Sequence, residues 1–427
     1  MTPGSGGRAF GLLGFFLLLH ILNQVDRNLI ASFGPDIQRD LGLSLTQFGV
    51  VTGIAFTAAY AFLALGAGVL ADRFGRVRVM AGGLAIWSGF TALSGMARSF
   101  GALVGIRPLV AAGEATLIPT ATAILSEQFS ADRRATAIGL FFIGVPLGVG
   151  ASFFVAGWLG PILGWRGVFL LLGLLGVLLV PVVLRLKIAA APVSVHGQRP
   201  RAARDILADL IGEMRRNAEM RLCLMGTVLM HVHLAGVPFI KIWLAAANPA
   251  KAASLALDYG IAVILLGIIG AGLGGVLADA YARRWPGGRA AFLALFVALL
   301  APFMLAFRLV EPGGPLFFLG MGAGVLFFSA FYGPAFAVLQ SVTPQRLHAS
   351  VTGLSMLLVN IFALGLGSLL IGAASDHLAG ASTENPLTVP LIAADGVSLL
   401  TLFCYAAIAW RTRHEAKASQ GENASPA

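Results

Sequence analysis

Long apolar segments recur along the whole chain and are separated by short polar stretches. Each is near the roughly 20 residues that an α-helix needs to span a bilayer. The twelve segments cover residues 10–33, 46–70, 79–97, 101–125, 135–159, 167–186, 222–246, 257–279, 290–310, 315–340, 349–373 and 389–410. The short alternating strands of a membrane barrel are not seen in the sequence. The pattern therefore predicts an all-α polytopic membrane protein with twelve transmembrane helices.

The longest polar interval, residues 187–221, divides the chain into two halves. We predict an N-terminal six-helix bundle over 1–186, a cytoplasmic linker over 187–221, a C-terminal six-helix bundle over 222–410 and a cytoplasmic tail over 411–427. Within the linker, RDILADLIGEMRR places Ile206, Leu210 and Met214 on one helical face. This is typical of an amphipathic helix at a membrane surface, although a solvated linker that is only partly helical also fits the sequence.

Composition agrees with a membrane protein, because 58% of the residues are hydrophobic and only 11% are charged. An ordinary soluble domain is about 25% charged. The net charge of +10 comes from Lys and Arg residues that concentrate in alternate loops. If both termini are cytoplasmic, these loops are cytoplasmic, as the positive-inside rule requires. The basic balance then reflects orientation in an inner (plasma) membrane and contact with anionic lipid, so a nucleic-acid partner is unnecessary.

Two short sequences recur about half a chain apart. GVLADRFGR (68–76) returns as GVLADAYAR (275–283), and RATAIGL (134–140) returns as HASVTGL (348–354). Two like halves of six helices indicate two pseudo-symmetric bundles that transport by alternating access around a central site.

The stretch GVLADRFGRVRV strongly resembles the loop signature of the major facilitator superfamily, in its pattern and in its position between segments 2 and 3. The resemblance covers essentially the whole chain, and it implies a secondary transporter of the major facilitator fold. In that family the loop latches the two halves together on the cytoplasmic side. The residues that carry this implied gating role are Gly68, Asp72, Arg73, Gly75 and Arg76, with Gly275, Asp279 and Arg283 in the second copy.

The chemistry of this loop fits a latch. Gly68 and Gly75 permit close packing and a tight turn. Asp72 would close the latch, with Arg133 or Arg134 as its partner. We expect a weaker latch in the second copy, since Ala280 and Ala282 stand there in place of an arginine and a glycine.

A narrower resemblance is to the Spinster-like transporters of this superfamily. LNQVDRNLIASFGPDIQRDLGLSLTQFG resembles their first helix and loop, RPLVAAGEATLIPTATAILSEQF their fourth helix, and RATAIGLFFIGVPLGVG their fifth. The chain departs from them at Pro108 and at Ala111-Ala112, where the family tends to have glycines, which puts the bend of the fourth helix in doubt. The anion:cation symporters share the Asp-Arg pair and the Glu, but Pro146 to Gly148 favours the Spinster-like reading.

Among the ionisable residues inside predicted spans, four are the strong candidates for function: Asp26, Arg27, Arg107 and Glu114. An ionised side chain at bilayer depth is expensive and is expected to face a cavity or a partner. Burial disfavours a charged carboxyl group and a nearby arginine favours it, so an acid that gains and loses an arginine partner binds and releases a proton. We predict Asp26 and Glu114 as the protonation sites, as the resemblance implies, with Arg107 as the switching partner. Static ion pairs, Asp26–Arg107 or Arg27–Glu114, are the alternative.

Substrate contacts are predicted on the same helix face. Arg27 would attract an anionic head group, and His20 and Asn23 precede it by seven and four residues, so they share its face. His231 and Asn360 would contribute from the other half, although a packing role also fits His231. Asp395 lies near the end of its segment, where interfacial solvation is expected.

We therefore predict a monomeric, proton-coupled secondary transporter whose partners are the lipid bilayer, protons and a small or amphiphilic solute. Apolar runs such as GVLFFSAFYGPAFAVL suit an amphiphilic anion, and the Spinster-like resemblance implies a lysolipid. The alternatives are a proton symporter of a sugar acid or aromatic acid, a drug-type efflux transporter, and a receptor or scaffold on the same fold. HExxH, GxSxG and P-loop motifs are not found, so neither an enzyme nor an ATP-driven pump is indicated. Cys223 and Cys404 predict no metal cluster, and no cofactor is implied.

Overall fold

The computed structural model describes residues 6–186, 188, 203–380 and 385–423, and in this part of the chain every regular element is helical. The first-half α-helices are α1 (Gly6–Ser32), α2 (Gly34–Leu41), α3 (Leu45–Thr52), α4 (Ile54–Phe74), α5 (Arg76–Gly95), α6 (Phe100–Glu114), α7 (Leu117–Gln128), α8 (Ala131–Phe142) and α9 (Gly144–Leu184). They are followed by α10 (Ala203–Arg216), α11 (Ala218–Ala235), α12 (Ile240–Ala247), α13 (Ala252–Arg284), α14 (Gly288–Leu309), α15 (Pro315–Ser341), α16 (His348–Leu358), α17 (Leu366–Ala379), α18 (Thr388–Leu399) and α19 (Thr401–Asn423). Two 3-10 turns (Val237–Phe239 and Gln345–Leu347) and a π-helix (Val359–Gly365) join some of them.

Among the described residues, 11 helical stretches are long and apolar enough to cross a membrane. One of them, Thr136–Leu184, has 49 residues, far more than the roughly 20 that one crossing needs. Gly164 (φ 64°, ψ 172°) interrupts the helix inside this stretch, between the predicted segments 135–159 and 167–186. When this stretch is counted as two crossings, the 11 stretches correspond to the twelve predicted transmembrane helices. The predicted all-α polytopic fold is confirmed.

Several predicted spans are broken helices. Segment 2 consists of α3 and α4, which meet at Gly53 (φ −98°, ψ −108°), and segment 11 passes through the π-helix between α16 and α17. A Cβ built on Gly53 would lie 2.9 Å from the Gly365 oxygen, so the break lies where two backbones approach each other closely. Irregular backbone at membrane depth is tolerated where protein covers it, and in transporters such breaks mark candidate sites.

Contacts divide the chain into two compact units. The first comprises Met1–Gln198, Val237–Ile264 and Leu364–Leu387, and the second comprises Arg199–Gly236, Leu265–Ala363 and Thr388–Ala427. The core of the first unit includes Phe16, Trp87 and Phe141, and that of the second includes Phe327 and Tyr405. The predicted bundles, 1–186 and 222–410, are each continuous in sequence, whereas the two units are not. The predicted domain boundaries therefore stay a prediction.

The central linker contains a helix, α10. Its Leu210 lies in the core of the second unit and Met214 packs against that core, so protein covers the helix at these two positions. The Ile206 side chain and residues 189–202 lie outside the described part.

Candidate functional site

The four predicted ionisable residues come together in the first unit. Helix α1 carries Asp26 and Arg27, and α6 carries Arg107 and ends at Glu114. Asp26, Arg107 and Glu114 are only 4%, 3% and 1% exposed, respectively. Buried charges persist in proteins only with partners, so the partners of each group define its chemistry.

One of the two anticipated ion pairs is present. The Nε of Arg27 donates to Glu114 Oε2 at 2.9 Å, and the Arg27 side chain stays 26% exposed while that of Glu114 is fully buried. Arg27 Nη2 and Glu114 Oε1 are buried atoms with no hydrogen-bond partner among the described residues. The pair is therefore not saturated, and Arg27 retains a donor for another acceptor.

Asp26 has a different environment. The hydroxyl of Thr91, on α5, donates to its Oδ2 at 2.5 Å. Among the described residues, no ion pair joins Asp26 to an arginine. The two carboxyl groups thus differ in this structure, since Glu114 is held by an arginine and Asp26 by a neutral hydroxyl.

Arg107 pairs with neither acid. Its Nε donates to the Val51 carbonyl at 3.3 Å, and its guanidinium carbon lies 4.4 Å from the centre of the Phe56 ring. Val51 lies in the last turn of α3, before the break at Gly53, where carbonyl groups lose their intrahelical partners. The break in this helix thus supplies the acceptor for a buried arginine.

Two aromatic rings of α4 complete the cluster. The guanidinium carbon of Arg27 lies 4.9 Å from the ring centre of Phe56 and 4.2 Å from that of Tyr60, and the two rings stack at 5.9 Å. Cation–π contacts strengthen when desolvated, so these rings stabilise the arginine charges. Sequence reasoning missed Phe56, Tyr60 and Thr91, because aromatic and hydroxyl residues are ordinary in apolar spans.

The other predicted residues of α1 have unequal surroundings. The Nδ1–H of His20 donates to the Phe141 carbonyl at 2.9 Å, which leaves Nε2 to accept from Gln24 Nε2 at 3.3 Å. His20 also stacks on Phe141, so it packs α1 against α8. Asn23 is buried, and its Nδ2 has no partner among the described residues. Asn23 therefore offers a free donor one turn before Arg27.

His231 and Asn360 both lie in the second unit. The Nδ1–H of His231 donates to the Thr227 carbonyl at 2.7 Å, and its ring meets that of Tyr332 edge-on. Asn360 Nδ2 donates to the Met356 carbonyl of its own helix at 2.9 Å. Their role in substrate binding stays a prediction.

A second buried charge cluster in the second unit was not expected. Asp395 accepts from His233 Nδ1 at 2.7 Å and from Arg308 Nε at 3.3 Å, and it is 2% exposed. The prediction of interfacial solvation for Asp395 is therefore wrong, because two donors from other helices allow the carboxylate to be buried. The available signal was that Asp395 and Arg308 both fall inside predicted apolar segments.

The repeated loop forms the expected tight turn. Gly75 has φ 90°, and its N–H caps α4 on the Ala71 carbonyl. Arg76 forms an ion pair with Glu127, and in the second copy Arg289 Nε donates to Asp279 at 2.6 Å. The Asp72 side chain lies outside the described part, so its predicted latch role is untested.

Close packing was expected at Gly68 as well as a tight turn at Gly75. A Cβ built on Gly68 would meet nothing within 4 Å, and the same holds for Gly275 in the second copy. Gly68 therefore makes no close packing contact with the described residues, and a gating role for Arg73 and Arg283 stays a prediction.

Comparison with known proteins identifies the family to which the sequence of this chain is similar. The profile of the Major Facilitator Superfamily matches residues 16–368. An MFS-type efflux pump of Mycolicibacterium smegmatis is 28% identical over 410 residues, which is 93% of this chain and 92% of the relative. Protein spinster of Drosophila melanogaster is 26% identical over 297 residues, 67% of this chain and 48% of that protein. These matches confirm the resemblances on which the sequence interpretation rests.

The fold also matches a solved structure. A bacterial homologue of the human lysosomal transporter Spinster, in an inward-facing and occupied conformation, superposes with a TM-score of 0.78 and 22% identity. The match covers 99% of this chain and 100% of that one, so the major facilitator fold extends over the whole chain.

Proposed function

The chain belongs to the major facilitator superfamily, and on that premise we propose that it couples proton movement to the transport of an amphiphilic anion. It is a Spinster-like, multi-pass membrane transporter rather than an enzyme. The lipid bilayer and a small-molecule substrate follow from that membership. Proton coupling, the chemistry of the substrate and an inner-membrane location with cytoplasmic termini belong to the proposal.

The unequal pairing of the two acids carries the proton step. Glu114 holds Arg27 while it is charged, and protonation of Glu114 removes that attraction. Arg27 then has its guanidinium available for a substrate anion. Proton uptake and anion binding therefore favour each other, which is what coupling requires. Asp26 is buried and forms no ion pair with an arginine in the described part of the chain, and it is the second group that takes up a proton.

The donors around Arg27 favour an anionic group. Arg27 Nη2 and Asn23 Nδ2 are both buried, have no hydrogen-bond partner among the residues that the structure describes, and lie one helical turn apart on α1. An arginine fork binds phosphate or carboxylate oxygens in bidentate fashion. The ring of Tyr60 beside Arg27 is only partly buried and supplies apolar surface, which suits an anion attached to an apolar chain, such as a lysolipid.

Two other substrates fit part of this chemistry. A small organic anion such as a sugar acid or aromatic acid would use the same donors without needing apolar surface. Similarity to an efflux pump along nearly the whole chain favours a drug-type compound as the substrate. A receptor or scaffold on this fold would move none of them.

Uptake into proteoliposomes under an imposed pH gradient tests the proposal. A lysophospholipid, a sugar acid and a cationic dye are offered in parallel, with empty liposomes as control. We expect gradient-dependent movement of the lysophospholipid. Movement of the sugar acid alone would assign a small organic anion instead, movement of the dye alone would assign drug efflux, and no movement of any would contradict transport of these classes.

Glu114→Gln is expected to make the apparent affinity for the anion independent of pH. A neutral amide no longer competes for Arg27, so KM at pH 7.5 should fall to the wild-type value at pH 5.5, about tenfold lower for a competing interaction of 1.4 kcal/mol. Initial rates at varied substrate concentration and pH measure this. Glu127→Gln is the matched control, since Glu127 pairs with Arg76 away from the cluster. A wild-type pH dependence of KM in Glu114→Gln would reduce Glu114 to a structural partner.

A further inference from the structure

The short helix α3 is held at its start by a carboxylate from α17. Asp376 accepts from the backbone N–H groups of Leu45 (2.9 Å) and Thr46 (2.8 Å) and from the Thr46 hydroxyl (2.5 Å). The next N–H, of Gln47, donates to the hydroxyl of Ser44. The first three N–H groups of α3 thus all have acceptors, and a negative charge at a helix N-terminus is favourable.

Glycines bring the two helices into backbone contact along their length. A Cβ built on Gly49 would overlap the Ser368 carbonyl oxygen, and one built on Gly372 would overlap the Leu45 carbonyl oxygen. Small residues at such positions let helices pack closely in a membrane. Because the helix breaks at Gly53, α3 is fixed to α17 more firmly than to α4.

The other end of α3 holds Arg107. Its Val51 carbonyl accepts from Arg107 Nε at 3.3 Å, and Phe56, just after the break, contacts the same guanidinium. An α-helix of eight residues is about 12 Å long and behaves as one rigid piece. Asp376 and the Arg107 acceptor are therefore linked through a single short helix.

We infer that Asp376 is a positioning residue for Arg107, acting through α3. While Asp376 holds the start of α3 against α17, the Val51 carbonyl keeps the Arg107 guanidinium out of ion-pair distance of both acids. When that contact opens, the carbonyl withdraws and Arg107 becomes free to pair with Asp26 or Glu114. The packing of α3 on α17 thereby sets whether the acids have a second arginine. This inference rests on the proposed proton coupling.

The charged and titratable side chains around the two acids come from three helices. They are Arg27 on α1, Arg107 on α6 and Tyr60 on α4, while α5 contributes the hydroxyl of Thr91. A freed Arg107 brings its positive charge closer to Asp26 and Glu114, which favours their charged forms. Loss of the Asp376 contact should therefore move the pH profile of transport toward acid.

The test compares Asp376→Ala with Gln47→Ala, which removes one side of the Ser44–Gln47 capping box of α3 but leaves the Asp376 contact intact. We expect the pH of half-maximal uptake to fall by about one unit in Asp376→Ala and to stay at the wild-type value in Gln47→Ala. In an Arg107→Gln background, Asp376→Ala should cause no further shift, because the two residues act in series. Equal shifts of Asp376→Ala in both backgrounds, or equal effects of Asp376→Ala and Gln47→Ala, would overturn the inference.

Hydrogen–deuterium exchange of residues 45–57 tests the same link without transport. Asp376→Ala should raise the exchange rate through the whole of α3 by about tenfold, and Arg107→Gln should raise it only near the break. Unchanged exchange in Asp376→Ala would refute the link whatever the transport result. A different outcome is that Asp376→Ala changes the exchange of α3 while transport by the wild-type protein does not respond to the pH gradient. That result would refute the proposed proton coupling and, with it, the role of Arg107 in titration.

Discussion

Replacing Asp26 with asparagine is expected to abolish gradient-driven accumulation of substrate, down to the level of empty liposomes. The side chain is buried, accepts one hydrogen bond from Thr91 and has no arginine partner among the described residues. An asparagine oxygen accepts the same hydrogen bond, so the fold should be retained. The amide cannot take up or release a proton, however, so the proton gradient can no longer drive accumulation.

Exchange of substrate across the membrane without a gradient separates coupling from binding. Asp26→Asn should still exchange labelled for unlabelled substrate, because Arg27 and Asn23 remain. Asp258→Asn is the matched control, since Asp258 is a carboxylate on α13 that makes no hydrogen bond or ion pair with the described residues of the cluster, and it should accumulate substrate as the wild type does. Gradient-driven accumulation by Asp26→Asn at the wild-type rate would remove Asp26 from the mechanism.

Asp395→Ala is expected to destabilise the second unit by about 3–5 kcal/mol, the usual cost of breaking a buried ion pair on one side. The carboxylate is the shared partner of His233 and Arg308, and the Arg308 side chain is almost fully buried. Removing the carboxylate takes away the ion pair that Asp395 makes with the buried arginine. Unfolding in mixed micelles at rising denaturant fraction measures the loss.

Ser398→Ala provides the comparison one turn further along α18. Its hydroxyl donates to the Asp395 backbone carbonyl at 2.6 Å, so this change removes one neutral hydrogen bond, worth about 1 kcal/mol. An Asp395→Ala protein no less stable than Ser398→Ala would show that the cluster contributes little to the fold.

Sequence pattern was sufficient for the architecture because spanning a bilayer imposes a length and a composition on each helix. The segments 135–159 and 167–186 are separated by GPILGWR, which contains two glycines, a proline and an arginine, and the structure breaks the helix at Gly164 within that gap. The breaks inside spans were not predicted. At Gly53 the cause is close contact with α17, more than 300 residues later in the chain, which no local pattern records.

Only the charged residues of the candidate site could be predicted from the sequence. Asp26, Arg27, Arg107 and Glu114 stand out because ionised groups are rare at bilayer depth. Their pairing was left open between two alternatives, since helix periodicity gives the direction of a side chain but not the distance between helices. The Val51 carbonyl and the Phe56 ring could not be identified from sequence, because they matter through backbone geometry and position. Asp376 lies three residues beyond the predicted segment 349–373, and no local pattern indicated its contact with α3.

The most direct test of the account is proton movement measured during substrate transport. Proteoliposomes containing a pH-sensitive dye receive the lysophospholipid at equal internal and external pH, and Asp26→Asn and Glu114→Gln proteins are run beside the wild type. The account predicts a substrate-dependent change of internal pH in the wild type, and none in Asp26→Asn. Substrate movement in the wild type without any change of internal pH would contradict coupling through the buried acids.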